Sequence, residues 1–334
     1  MLELKDNQRC YVCGQDNPSG LKVQFAVDHT ARTITGRFTP RREHEGWEGI
    51  VHGGVIAALL DEAMVKLAAH LGEPDLKVVD ATFYLPHLKR DAPAEFEQAH
   101  LPGAVFFDIE AISDHASPLP HMLPEAGAFA DAVGALGIGT GDRVVAYGGR
   151  GLIASARVWW TFRVFGHDRV AVLDGGSAKW KKEGRPVESG MPAPAPRPFA
   201  ATLHKELVAD LDRMLATLER RDAQIIDARS RGRFAATEPE IRSGLRGGHI
   251  PGSLSLPYTE LFSADDVLRP EADVRGAFQG AGLDLARPVV ATCGSGVSAA
   301  VLALAMYRLG RRDAAVYDGS WTEWGGRGDT PVAP

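Results

Sequence analysis

The feature that most constrains what this chain can fold into is an internal duplication. Val78-Val79-Asp80-Ala81 returns as Ile225-Ile226-Asp227-Ala228, and His100-Leu101-Pro102-Gly103-Ala104 returns as His249-Ile250-Pro251-Gly252-Ser253. Val144-Val145-Ala146-Tyr147-Gly148-Gly149 matches Val289-Val290-Ala291-Thr292-Cys293-Gly294, and Leu173-Asp174-Gly175-Gly176 with Trp180 matches Tyr317-Asp318-Gly319-Ser320 with Trp324. The landmarks keep their order, so one ancestral unit is present twice. Each copy alternates short β-branched runs with helical stretches such as 154–165 and 298–309, the pattern of a parallel sheet covered by helices. The expected fold class is therefore α/β, in duplicate. Between the copies, Met191-Pro192-Ala193-Pro194-Ala195-Pro196-Arg197-Pro198 alternates residues that fix φ and cannot continue a helix, which predicts a semi-rigid spacer.

The charge balance excludes some partners. A formal net charge of −6 leaves no basic footprint for nucleic acid or anionic lipid. Met1 to Asp6 lack a charged-then-apolar leader pattern, and no apolar run approaches the ~20 residues that span a bilayer. Three cysteines in 334 residues make no disulfide framework. A reducing, cytoplasmic setting with no membrane is expected.

The chemistry-bearing stretch is Pro288 to Ser298, where an apolar strand ends in Cys293 and the small-residue loop Gly294-Ser295-Gly296-Val297-Ser298 before a helical run from Ala299. Free N–H groups and the positive end of a helix dipole favour an anion, which predicts a thiol pKa below its ordinary value of about 8.5. The competing reading, a small buried hydrophobe, leaves the two loop glycines without a purpose. The loop carries no cation for a dianion such as thiosulfate. A cysteine phosphatase would need arginine where this chain has Ala299.

Residues 70–334 resemble the tandem-rhodanese sulfurtransferases. The loop Cys293 to Ser298 resembles the 3-mercaptopyruvate branch, supported by Ser113 to Pro124, Arg157-Val158-Trp159-Trp160 and Asp318-Gly319-Ser320-Trp321-Thr322-Glu323-Trp324. The resemblance implies two rhodanese domains, the first inactive because Gly148 stands in the place of Cys293, and no cofactor or metal. It implies a Cys293 persulfide, formed from 3-mercaptopyruvate with release of pyruvate and discharged to a thiol such as thioredoxin or to cyanide. Arg233 and Arg242 match the family's substrate arginines, with Gly294, Gly296, Val297 and Ser298 completing the substrate site. Planar guanidinium groups suit a carboxylate, but the residues alone favour a different reading, that these arginines are surface charges or partners of Glu238 and Glu240. Ser295, His121 and Glu110 match a proton-handling group; without the resemblance His121 reads as a packed loop histidine. His100 and His249 read as turn histidines. Thiosulfate as donor and a persulfide carrier serving a partner protein stay open as alternatives.

Residues 1–68 resemble something else, the opening half of a hotdog-fold thioesterase of the phenylacetate-pathway type, through Cys10 to Leu21 and His44 to Gly54. The resemblance implies backbone donors at Gly53 and Gly54 after His52, with Asp61 assisting water. The later strands of that fold have no counterpart in the sequence, so a short α+β partial segment without thioesterase activity is expected. Its helix is expected to run on into the first repeat. Cys10 and Cys13 form a lone C-x-x-C pair, too few ligands for zinc. The expected division is 1–68, 69–190, a linker at 191–200, and 201–334.

Overall fold

A computed structural model describes residues 10–13, 15–28, 33–47, 50–51, 55, 59, 76–85, 88–149 and 152–334. The chain divides into two units, Met1–Asp75 and Leu76–Pro334. In the first, β1 (Gln24–Asp28) pairs antiparallel with β2 (Thr33–Arg37), and β3 (Glu45–Trp47) pairs antiparallel with β4 (Ile50–Val51). Val12, Leu21 and Val23 form its small apolar core. Cys13 is buried and Cys10 is half-buried. His52, Gly53, Gly54, Asp61, the expected boundary at 68–69 and the expected helical join lie outside the described residues.

The second unit contains both repeats. In the first repeat, β5 (Leu76–Asp80), β6 (Ala104–Phe106), β7 (Arg143–Tyr147) and β8 (Val170–Val172) form a parallel sheet in the order β6-β5-β7-β8. In the second, β9 (Val208–Ala209), β10 (Gln224–Asp227), β11 (Leu254–Ser255), β12 (Val289–Thr292) and β13 (Ala315–Tyr317) form a parallel sheet in the order β11-β10-β12-β13-β9. Asp80 lies opposite Tyr147 in one sheet and Asp227 opposite Thr292 in the other. Gly148 and Cys293 therefore leave their sheets at equivalent places, the carboxyl ends of central strands, where open α/β sheets bind ligands.

Each of these strands feeds a helix buried on nearly every side. In Ile153–Val164 every residue after the first is buried, and in Ala299–Arg308 everything from Ala299 to Met306 is. An all-round apolar helix belongs between layers, and these two pack against each other, joining the repeats through one core that includes Trp159, Trp160, Val301, Leu302 and Cys293. The turn histidines behave alike. His100 stacks on Phe96 at 4.0 Å with Nδ1 2.8 Å from the Phe96 carbonyl, and His249 stacks on Phe234 at 3.7 Å with Nδ1 2.9 Å from the Phe234 carbonyl. Each closes its own repeat, as packed turn histidines.

The proline-rich connection is extended and pinned to the first repeat. Arg197 donates to Asp142 at 2.7 Å, its N–H bonds the Gly134 carbonyl, and Phe199 packs against Phe129 and Phe162. Among the described residues no helix is long and apolar enough to cross a membrane.

Candidate active site

The loop after β12 is fixed from below. Trp321 N–H bonds the Cys293 carbonyl at 2.9 Å, and Thr322 holds the Gly294 carbonyl with its N–H at 2.8 Å and its hydroxyl at 2.7 Å. Ser320 Oγ accepts from Cys293 N–H at 3.2 Å and Gly296 N–H at 3.0 Å, donates to the Tyr317 carbonyl at 2.7 Å, and lies 3.9 Å from Cys293 Sγ. Those two amides are therefore not free, as the sequence alone suggested. The N–H groups of Gly294, Ser295, Val297 and Ser298 have no hydrogen-bond partner among the described residues, and they form the available donors of the loop. Such a group of amides at a helix start suits an anionic sulfur.

Gly296 has φ +72°, and a Cβ there would stand 2.7 Å from the Asp318 carbonyl oxygen and 2.8 Å from Arg157 Nη1. Only glycine serves such a position without strain. Arg157 itself comes from the first repeat. It donates from Nη1 to Asp318 Oδ1 at 2.7 Å and to the Gly296 carbonyl at 3.2 Å, and from Nη2 to the His121 carbonyl. Both members of the pair are nearly sealed from solvent, and Asp318 Oδ2 also accepts from Leu123 N–H at 2.8 Å. The guanidinium lies over the Trp160 ring at 4.5 Å.

Cys293 is only 1% exposed and reaches solvent through a cavity of about 870 Å³ lined by both repeats. Gly294, Ser295, Val297, Ser298, Arg233 and Arg242 line it, whereas His121, Glu110 and Gly296 do not. Arg233 lies against the loop: a Cβ on Gly294 would meet its Nη2 at 3.1 Å. A cation absent from the loop's own sequence thus arrives from α/β connection 231–234. Its Nε and Nη2 are bound to Glu240 Oε2, one of the ion pairs that the residues alone allowed, and Nη1 has no partner among the described residues. Arg242 has no ion-pair partner among the described residues. Its Nη2 lies 3.2 Å from His121 Nε2, and burial lowers its pKa while charge on Cys293 and Glu110 opposes that.

His121 is buried at a left-handed φ of +61°. Burial, then the charges of Arg157 and Arg242, lower its pKa to about 3, so the ring is neutral at physiological pH. Arginine cannot accept a hydrogen bond. Nε2 is therefore the bare nitrogen and Nδ1 carries the proton, 3.1 Å from Glu110 Oε1 but off the line of a good hydrogen bond. Burial and Asp108 raise the Glu110 pKa, against Arg242 and His115. Ser295 Oγ has no hydrogen-bond partner among the described residues, so it is not joined to His121. The structure brings His121, Glu110 and Arg242 together and places Ser295 separately on the cavity wall.

Three site residues escaped the sequence reading. Ser320 takes the place of Gly176 and keeps a left-handed backbone, φ +48° against +54°; a serine at a glycine conformation was the available signal. Arg157 lies in a quoted motif but its partner is 161 residues away. Tyr258 lines the cavity with a hydroxyl unpartnered among the described residues, and burial followed by charge on Cys293 raises its pKa.

Comparison with known proteins identifies the family. A model described as "Rhodanese-like domain" matches residues 64–183 and 210–327, so the chain belongs to the rhodanese family as a tandem repeat. The Homo sapiens 3-mercaptopyruvate sulfurtransferase is 46% identical over 259 residues, covering 77% of this chain and 87% of that protein. The Bos taurus thiosulfate sulfurtransferase is 42% identical over 280 residues, covering 82% and 94%. Among solved structures, SseA from Escherichia coli, a 3-mercaptopyruvate sulfotransferase, superposes with a TM-score of 0.69 at 39% identity, covering 77% of this chain and 97% of that one.

Proposed function

We propose that this protein is a sulfurtransferase that takes sulfur from 3-mercaptopyruvate onto Cys293, releases pyruvate, and passes the sulfur to a thiol or to cyanide. The observation that carries the reading is Cys293 at a cavity wall, with loop amides and an Arg242 guanidinium facing the same space that have, respectively, no hydrogen-bond and no ion-pair partner among the described residues. The carboxylate of the donor binds Arg242 and Nη1 of Arg233. Cys293 thiolate attacks the donor sulfur, the S–S bond forms as the C–S bond breaks, and that electron pair passes into the ketone as an enolate. The proton lost from the donor thiol is delivered to the enolate carbon, giving pyruvate. Ser295 Oγ, which lines the cavity, is the group placed to carry that proton, while neutral His121, beside Glu110 and against Arg242, positions the Arg242 guanidinium. An acceptor such as reduced thioredoxin or cyanide then attacks the outer sulfur. The double displacement gives ping-pong kinetics.

Thiosulfate is the second donor to weigh, since relatives carry that name. Because Cys293 is almost fully covered, direct persulfide hand-over to a large partner needs that partner to reach into the cavity. The test is pyruvate and sulfide release from 3-mercaptopyruvate against thiosulfate turnover, with mass spectrometry for one added sulfur on Cys293. Cys293→Ser must abolish transfer and the adduct; a serine variant that still transfers sulfur refutes the reading. We place the protein in the cytoplasm, divide it at 1–68, 69–190, 191–200 and 201–334, and read 1–68 as a partial hotdog-like segment without acyl-CoA hydrolysis. Acyl-CoA hydrolysis by the full chain overturns that last part.

A further inference from the structure

Within the proposed reaction, the loop amides face the sulfur, Arg233 and Arg242 take the carboxylate, and Ser295 carries the proton. The ketone oxygen is left without a donor. As the C–S bond breaks, its electron pair passes onto that oxygen as an enolate, and a charge developing there is best met by a hydrogen-bond donor fixed beforehand. The ketone carbon of 3-mercaptopyruvate lies between the carboxylate and the carbon that bears sulfur. With those two ends at Arg242 and Cys293, the oxygen falls in the stretch of cavity between them.

Tyr258 is held beside that stretch by the sheet. Its N–H bonds the Ala228 carbonyl at 3.1 Å, and the Ala228 N–H bonds the Thr292 carbonyl at 2.9 Å, so two main-chain bonds link Tyr258 to the residue before Cys293. Pro257, with its fixed φ, opens the short 3-10 helix Tyr258–Leu261, and the half-buried ring stands edge-on to Phe262 with centroids 6.4 Å apart, packed on the core. Tyr84, which also lines the cavity, gives its hydroxyl to Glu95 at 2.8 Å, whereas the Tyr258 hydroxyl has no partner among the described residues. Burial, then charge on Cys293 and on Asp266, raises the Tyr258 pKa, so the phenol keeps its proton at physiological pH and feels an anion at the sulfur. We propose that Tyr258 is a further catalytic residue, whose hydroxyl donates a hydrogen bond to the ketone oxygen of the sulfur donor and stabilises the enolate formed as the C–S bond breaks. The Tyr258 proton stays on its oxygen; the enolate carbon receives the proton that left the donor thiol. The inference rests on reading this cavity as the 3-mercaptopyruvate site.

The test separates the two half-reactions of the purified full chain. In a double displacement, kcat/KM for 3-mercaptopyruvate reports the first and kcat/KM for cyanide the second. Tyr258→Phe keeps the ring and its packing and removes the hydroxyl. The first value should fall by about tenfold or more, the worth of one hydrogen bond to a developing charge. The second should stay within about twofold, because no enolate forms when the outer sulfur is discharged. Single-turnover pyruvate release with enzyme in excess should slow with the first value, and thermal unfolding establishes that the variant is native. A folded Tyr258→Phe protein with both values unchanged overturns the proposal by leaving the ketone oxygen to another group. Equal losses in both values overturn it too, since Tyr258 would then only support the cavity wall. A wild-type chain that releases no pyruvate from 3-mercaptopyruvate overturns the donor-site reading instead.

Discussion

Arg157 of the first repeat donates to Asp318 of the second at 2.7 Å, and the same guanidinium holds the Gly296 carbonyl of the cysteine loop. The repeat that lacks a cysteine therefore shapes the loop of the repeat that has one. Burying two charges is costly, and the arrangement persists because the pair is close and its other atoms are satisfied by the His121 carbonyl and Leu123 N–H.

Arg157→Met leaves Asp318 buried without its counter-charge. Breaking such a pair costs about 3–5 kcal/mol, and denaturant unfolding should show a loss of that order. Sulfur transfer should fall along with stability, because Gly296 loses its support. Retention of both native stability and native activity would show that the pair is dispensable.

Ser320→Ala removes the hydroxyl that receives the Cys293 and Gly296 amides while leaving the strained backbone in place. Two buried donors lose their acceptor, at about 1–3 kcal/mol. The loop should become mobile and kcat should drop more than KM rises. Steady-state kinetics beside hydrogen exchange at those amides checks both.

Gly296→Ala places a Cβ 2.7 Å from the Asp318 carbonyl oxygen at a positive φ. Strain of about 1–3 kcal/mol is expected, with transfer strongly reduced. Thermal melting and a sulfurtransferase assay measure the two effects, and an alanine variant with wild-type values contradicts the geometry.

His121 carries the pH dependence. Its native pKa is lowered to about 3 from an ordinary 6.5, chiefly by burial. Between those values the unfolded chain binds a proton that the native chain refuses, so stability rises with pH across the window and is lost on acidification. The slope approaches about 1.4 kcal/mol per pH unit. The raised pKa of Glu110 works in the opposite sense. His121→Asn should flatten the stability profile between pH 4 and about 6.5 relative to wild type; an unchanged slope would mean that His121 is not refusing a proton in the native state.

The duplication in the sequence determined the fold of the two repeats: the matched Val78-Val79-Asp80 and Ile225-Ile226-Asp227 runs became β5 and β10, and the matching apolar runs became β7 and β12. Cys293 and its small-residue loop were equally legible, because a strand, a tight turn and a helix start are local and each has its own residue preferences. The partnerships of the charged side chains were not. Glu240 taking Arg233, Arg157 crossing to Asp318 and Arg242 resting on His121 depend on which guanidinium group is brought within reach of which acceptor when the two sheets and their central helices pack. No periodicity records that choice, since an arginine's reach and burial are set by neighbours far along the chain. The sequence by itself supplied the sulfur and its strand-loop-helix seat, while tertiary packing alone decided which charges surround it.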